Sequence, residues 1–204
     1  MKKLLSVFAL ASLMVLTFSC SVLGASQVYF DYIIDGEWDS VDLSGFAFGL
    51  DYKNDSTKFG FDYLTGDINN GVSDYNQFIL KGGYGINENV FITISMIDNT
   101  AENNFAEISA NGILLGIDVS YNFSEQVSFE GSFGFSLSGE GEAYVVGYGS
   151  SSGDVDFSIL KFKITNNISD SIGISFGYND ISCELEDSDS IDVTYMTLGM
   201  VVKF

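Results

Sequence analysis

The chain has 204 residues, enough for one domain or two small ones. It carries 8 Lys plus Arg against 28 Asp plus Glu, a net charge of −20, with no His and no Pro. Such an acidic chain repels phosphate, which excludes a nucleic-acid binder; a hydrophobic content of 46% excludes an acidic disordered chain; and the lack of His points away from most enzymes, because it removes the commonest general base and zinc ligand.

The first segment reads as targeting. Met1-Lys2-Lys3 is a short basic start, Leu4 through Phe18 is an uncharged apolar run, and small residues follow at Ser19, Ser21, Gly24 and Ala25. This is the three-part pattern of a secretory signal peptide over residues 1–24, with cleavage near 24–25 and a mature domain from 25 to 204. A transmembrane helix is the alternative, but the run is short of the roughly 20 residues a span needs. Cys20 raises processing as a lipoprotein, for which Thr17-Phe18-Ser19 is a poor context. The mature chain keeps 6 Lys, no Arg and all 28 acids, a net charge of −22, and one cysteine, Cys183, so an internal disulfide is impossible.

From residue 27 onward the hydrophobic period is two, the period of strands. An opening segment spans Gln27–Ile34. Phe46, Phe48, Leu50 and Tyr52 follow, then Phe59, Phe61 and Tyr63, then Phe78, Leu80 and Tyr84. Val90-Ile92-Ile94-Met96, Leu115-Ile117-Val119-Tyr121 and Val127-Phe129-Phe133-Phe135 continue the series. In the eighth segment Val155, Phe157 and Ile159 sit on the opposite parity from Leu160, Phe162 and Ile164, which predicts a β-bulge near Ser158–Leu160. Ile172-Ile174-Phe176-Tyr178 and Met196-Leu198-Met200-Val202-Phe204 close the list at ten.

A weak repeat joins these segments. Ile86-Asn87-Glu88-Asn89-Val90, Phe123-Ser124-Glu125-Gln126-Val127 and Ile168-Ser169-Asp170-Ser171-Ile172 each set a polar triplet with a central acid between apolar residues, and Lys53-Asn54-Asp55-Ser56-Thr57 is a looser copy. Such triplets read as tight hairpins. The connections between them are predicted as long loops: Asp35–Asp42, Asp67–Asp74, Asp98–Asn111, Gly139–Asp154 and Asn179–Ser190. Short turns alternating with long loops define an antiparallel meander with all short turns at one end.

A soluble lipocalin-like barrel would hold the apolar face inside. Here that face carries Phe, Tyr, Leu and Ile on every segment, too bulky for a small lumen, while the other face is rich in Gly, Ser, Ala and Asp. The reading is all-β: a closed antiparallel up-and-down transmembrane β-barrel with lipid outside and a polar lumen. Ten strands of about 9–11 residues are expected, or eight if the first and eighth segments fail to pair. Closure is obligatory because an open edge in lipid leaves amides unpaired.

The ending Tyr195-Met196-Thr197-Leu198-Gly199-Met200-Val201-Val202-Lys203-Phe204 resembles the C-terminal signal of bacterial outer-membrane β-barrel proteins. Tyr52, Tyr84 and Tyr121 near the short turns, with Tyr63, Tyr75 and Tyr178 near the long loops, resemble the two aromatic girdles of that class. The resemblance implies the outer membrane of a diderm bacterium, with short turns and termini in the periplasm and long loops outside. It also implies Phe204 as an assembly signal, and lipid, the barrel-assembly machinery and periplasmic chaperones as partners. Enzymes of this architecture use a catalytic His, so none of their activities is expected, nor any cofactor.

The candidate site residues are charges on the polar parity: Asp31, Asp51, Lys58, Asp62, Lys81, Asp118, Glu130, Lys161, Lys163 and Lys203, with Lys53 at a turn. Asp51 is expected near Lys58, and Glu130 beside Lys161 and Lys163. They knit the lumen together or line a narrow solute path. The acidic loops suit at most weak divalent-cation binding. Two functions follow: porin-like, cation-favouring passage of ions or small solutes, or a sealed barrel acting as a surface, adhesion or membrane-integrity protein through its acidic loops.

Overall fold

The computed structural model describes residues 25–185 and 190–204. The signal segment with Cys20 lies outside the described residues, as do Glu186, Asp187 and Asp189 of the last acidic connection. Ten strands occupy the chain: β1 (Ala25–Trp38), β2 (Val41–Lys53), β3 (Thr57–Ile68), β4 (Ser73–Asn87), β5 (Val90–Glu102), β6 (Ala106–Asn122), β7 (Val127–Val145), β8 (Gly149–Asn167), β9 (Ile172–Leu185) and β10 (Ser190–Lys203). Each pairs antiparallel with its sequence neighbours, and β1 pairs with β10 from Gln27↔Lys203 to Trp38↔Val193, closing the barrel. The amide of Phe204 adds a last rung to the carbonyl of Ser26 at 2.9 Å. Closure removes every edge at membrane depth, and with an apolar outer belt this is the architecture of an outer-membrane barrel.

The repeated triplets make the turns at one end, here the triplet end. In each, the first polar residue does the holding. Asn54 Oδ1 accepts the amides of Ser56 and Thr57, and Asn87 Oδ1 accepts that of Asn89. Ser124 Oγ accepts those of Gln126 and Val127, and Ser169 Oγ accepts that of Ile172. These are side-chain mimics of a backbone turn. The central acids Asp55, Glu88, Glu125 and Asp170 are exposed.

At the opposite, acidic end, the segments predicted as long loops are mostly strand. Strands run from 12 residues in β3 to 19 in β7 and β8, longer than expected. The β1–β2 reversal needs only Asp39 and Ser40, both at positive φ, and the β3–β4 reversal uses Asn69, Asn70 and Gly71 in the same region. Above the lipid an outward position no longer has to be apolar. Alternation fades there while the ladder of backbone hydrogen bonds continues.

Outward side chains form the lipid belt. Phe30, Phe48, Phe61 and Phe78 make a row of rings across β1–β4 at centroid distances of 5.4–6.3 Å. Inward side chains divide into two layers, and this division was not expected. Near the triplet end the lumen is polar and charged. Toward the acidic end it is a packed apolar core of Ile33, Leu43, Leu64, Ile79, Ile97, Leu114, Phe157 and Ile181 with their neighbours. Two expectations are corrected by it. Tyr75 is not in the outer girdle; it is 1% exposed, inside the barrel. The parity change in the eighth segment is not a bulge, because β8 pairs with β9 without a register shift from Val155↔Leu185 to Asn167↔Gly173. Val155, Phe157 and Ile159 belong to the inner core, Leu160, Phe162 and Ile164 to the lipid belt. The extra residue lies on β7, where Ile113↔Ser138 and Leu114↔Ser136 leave out Leu137.

Candidate functional site

All the predicted lumen charges sit on inward positions, but their salt-bridge partners are across the lumen and not on adjacent strands. Asp118 on β6 is 2% exposed. It accepts Lys58 Nζ at 2.7 Å and Lys81 Nζ at 3.0 Å, and Ser132 Oγ donates to it at 2.7 Å. Lys161 on β8 reaches Asp62 on β3 at 3.0 Å, and the Tyr29 hydroxyl donates to the same carboxylate. Lys163 pairs with Asp31 on β1 at 3.2 Å while lying 3.2 Å from the centroid of the Tyr29 ring. Ser175 Oγ completes Asp31 at 2.9 Å.

The expected pairs Asp51–Lys58 and Glu130 with Lys161 or Lys163 do not form as salt bridges. Glu130 instead accepts the Gln27 amide at 3.1 Å, and Asp51 the same group at 3.5 Å. Side-chain reach explains the difference. Glu130 is directly opposite Lys163 on β8, yet a long lysine stem can cross the narrow lumen to a carboxylate that is better buried. Lys53 and Lys203 end on Ser120 and Asn167, at 2.6 and 2.7 Å. Gln27, Tyr29, Ser132 and Ser175 are partners that sequence reasoning missed; the signal was available, since all four share the inward parity of their strands.

Two glycines make room for this layer. A Cβ on Gly49 would collide with the Tyr29 ring, and one on Gly199 with the Asp31 carboxylate. Among the described residues no buried side-chain nitrogen or oxygen lacks a hydrogen-bond partner. A cavity of about 80 Å³ remains between Asp31, Asp62, Lys81 and Lys161, and one of about 160 Å³ opens at the triplet end beside Lys53, Phe91 and Lys203. Neither crosses the apolar layer. That layer's lower boundary is sewn by Gln77, which donates to Tyr75 and Asn99 at 3.0 and 3.1 Å.

The outer surface at the acidic end is built differently. Asp67 lies opposite Asp74, Asp74 opposite Glu102 and Glu102 opposite Glu107, a single row of carboxylates across β3–β6. Glu140 faces Asp154, and Asp156 faces Glu184. No lysine interleaves them, because all six lysines of the described residues are inside. Directly opposed like charges destabilise a sheet by a few tenths of a kcal/mol or more per pair. Raising NaCl from about 0.1 M to about 1 M shortens the screening length from about 10 Å to about 3 Å. The refolded barrel is therefore expected to show a higher urea midpoint in high salt, and an unchanged or falling midpoint would refute the repulsion. Among the described residues no group of three or more metal-ligating side chains is arranged to hold a metal ion.

No known family's sequence model matches the chain, and no curated protein does. Solved structures do. The attachment invasion locus protein Ail of Yersinia pestis matches with 17% identity over 90% of this chain and 100% of its own, at a TM-score of 0.44. Neisserial surface protein A matches with 10% identity over 89% and 97%, at 0.48. The outer membrane protease OmpT of Escherichia coli matches with 11% identity over 89% and 94%, at 0.47. Their activities are their own; at these identities and TM-scores none passes to this chain.

Proposed function

We propose that this protein is a sealed outer-membrane barrel with its acidic end facing outside the cell, working as a non-catalytic surface or membrane-integrity protein through that end. One observation carries the reading: the inward face changes from an ion-paired layer to a packed apolar layer, so a hydrated ion entering from either end has to pass close-packed apolar side chains. Small barrels fill their interiors with side chains in this way. Porin-like, cation-favouring passage has the acidic rim in its support, because such a rim concentrates cations at a mouth, but it requires a continuous aqueous path. The triplet end, with both chain termini, faces the periplasm in this reading, and Phe204 serves there as the assembly signal.

The test is reconstitution of the refolded protein in planar bilayers. No conductance steps above background are expected between about 0.1 and 1 M KCl, where surface charges pass from weakly to strongly screened. Discrete steps with cation preference would replace this reading by the pore.

A further inference from the structure

Along the outer face of β7 the chemistry changes twice. Phe133, Phe135 and Leu137 are apolar and belong to the lipid belt. Glu140 and Glu142 follow, and then Tyr144, Val146 and Tyr148 are apolar again. β6 runs the same course in reverse, from Ile113 through Asn111, Ser109 and Glu107 to Phe105 in the turn before it. The second apolar zone is separated from the first by about 20 Å of extended strand, at roughly 3.3 Å per residue. It stands beyond the acidic belt that ends the lipid-facing zone. Phe105 is 73% exposed and Tyr148 93% exposed.

This tip is a built surface. The Val146 amide donates to the Phe105 carbonyl at 2.9 Å, joining the β7–β8 turn to the β5–β6 turn. The Tyr148 amide donates to Val145 at 3.1 Å, and Gly147 and Gly149 at φ +87° and +96° reverse the chain around it. Asn103 Oδ1 accepts the amides of Phe105 and Ala106 and fixes the second turn. The backbone that presents Phe105, Val146 and Tyr148 is thereby fixed, their side chains are exposed, and exposed aromatic groups of this kind are what interfaces use as anchors.

We infer that the tip docks a cationic polypeptide that presents aromatic or aliphatic side chains among its Lys and Arg. This rests on the sealed-barrel reading with the acidic end outside. Charge selects the occupant. Glu102, Glu107, Glu140, Glu142 and Asp154 surround the tip, and among the described residues no Lys, Arg or His lies on the outer surface. A second copy of the chain, at −22, is repelled, and so is any phosphate- or sulfate-bearing lipid or glycan. A cationic polypeptide gains three terms together: apolar burial on Phe105 and Val146, cation–π contact with Tyr144 and Tyr148, and attraction to the carboxylates that also speeds encounter.

The test uses the full mature chain in nanodiscs of neutral phospholipid, with empty discs as background. The probe is a fluorescent peptide of interspersed Lys and Phe; its counterparts replace Lys by Gln or by Glu. The Lys peptide is expected to bind above background, more weakly as NaCl rises. Its affinity is expected to fall about 10-fold or more in the Phe105→Ser/Tyr148→Ser variant, as for loss of an aromatic anchor, and also in Glu140→Gln/Glu142→Gln. Retained heat-modifiable gel mobility shows that each variant still forms the barrel. Equal affinity for the Phe105→Ser/Tyr148→Ser variant and the wild type would overturn the proposal, as would equal binding of the Glu peptide or no binding above empty discs. A tip-dependent dimer in sedimentation would assign the surface to a second copy instead. Failure of the sealed reading is read separately, as conductance steps from the same preparation.

Discussion

Asp118→Leu is expected to lower the stability of the refolded barrel by about 3–5 kcal/mol, the cost of removing one partner from a buried ion pair. The reason is that among the described residues Asp118 is the only carboxylate within salt-bridge distance of two ammonium groups, Lys58 and Lys81, whose side chains are 13% and 14% exposed. Without it two like charges face each other in a narrow lumen, and Ser132 offers only a hydroxyl. The triple variant Asp118→Leu/Lys58→Met/Lys81→Met is expected to recover most of the loss, because the buried charges leave together. Urea unfolding followed by the heat-modifiable shift measures both. A single substitution that costs less than about 1 kcal/mol, the range of an exposed pair, or a triple variant no better than the single, would show that water reaches these lysines.

Phe157→Ala is the second large effect, at about 3–5 kcal/mol for truncating a buried aromatic ring. Phe157 is 2% exposed and its ring lies against Gly112 and Gly139, whose missing side chains provide its space. Backbone pinned in a closed ladder cannot collapse onto the void, so the cavity persists. Tyr148→Ala, at the solvent-exposed tip, is the control and is expected to leave the unfolding midpoint within experimental error. Equal effects at the two positions would mean that the inner apolar layer is not a packed core.

Much of the fold was legible in the sequence because lipid enforces alternation on every strand it touches. Phe46-Phe48-Leu50 or Ile92-Ile94-Met96 could have only one outward side, and the lysines fell inward by parity alone. Above the lipid that enforcement stops. Gly139–Asp154 reads as loop because Glu140, Glu142, Ser150 and Ser152 break the apolar alternation of its outward positions, yet Glu140↔Asp154 through Val145↔Gly149 are paired. The inner apolar core was visible but misread. Val155, Phe157 and Ile159 on the wrong parity looked like a strand that had slipped by one residue, when they were the opposite face of a strand that had not. Which lumen charges pair with one another was not legible. Lys163–Asp31 joins β8 to β1 across the interior, a distance that depends on barrel radius and strand tilt and that no local spacing encodes.

The confinement of all six lysines of the described residues to the interior also decides how the protein meets reagents that look for amines. Trypsin cuts after Lys or Arg, and in the proposed orientation a folded barrel in intact cells offers it nothing to cut, so shaving of the cell surface leaves the acidic-end hairpins whole. Amine-reactive labels pass over the same surface. Denaturation changes little for peptide mapping, because 82–161 contains no tryptic cleavage point before its last residue. A protease specific for Asp or Glu meets the reverse situation, with its sites concentrated on the outer hairpins, and is the reagent with which surface exposure of this barrel can be read.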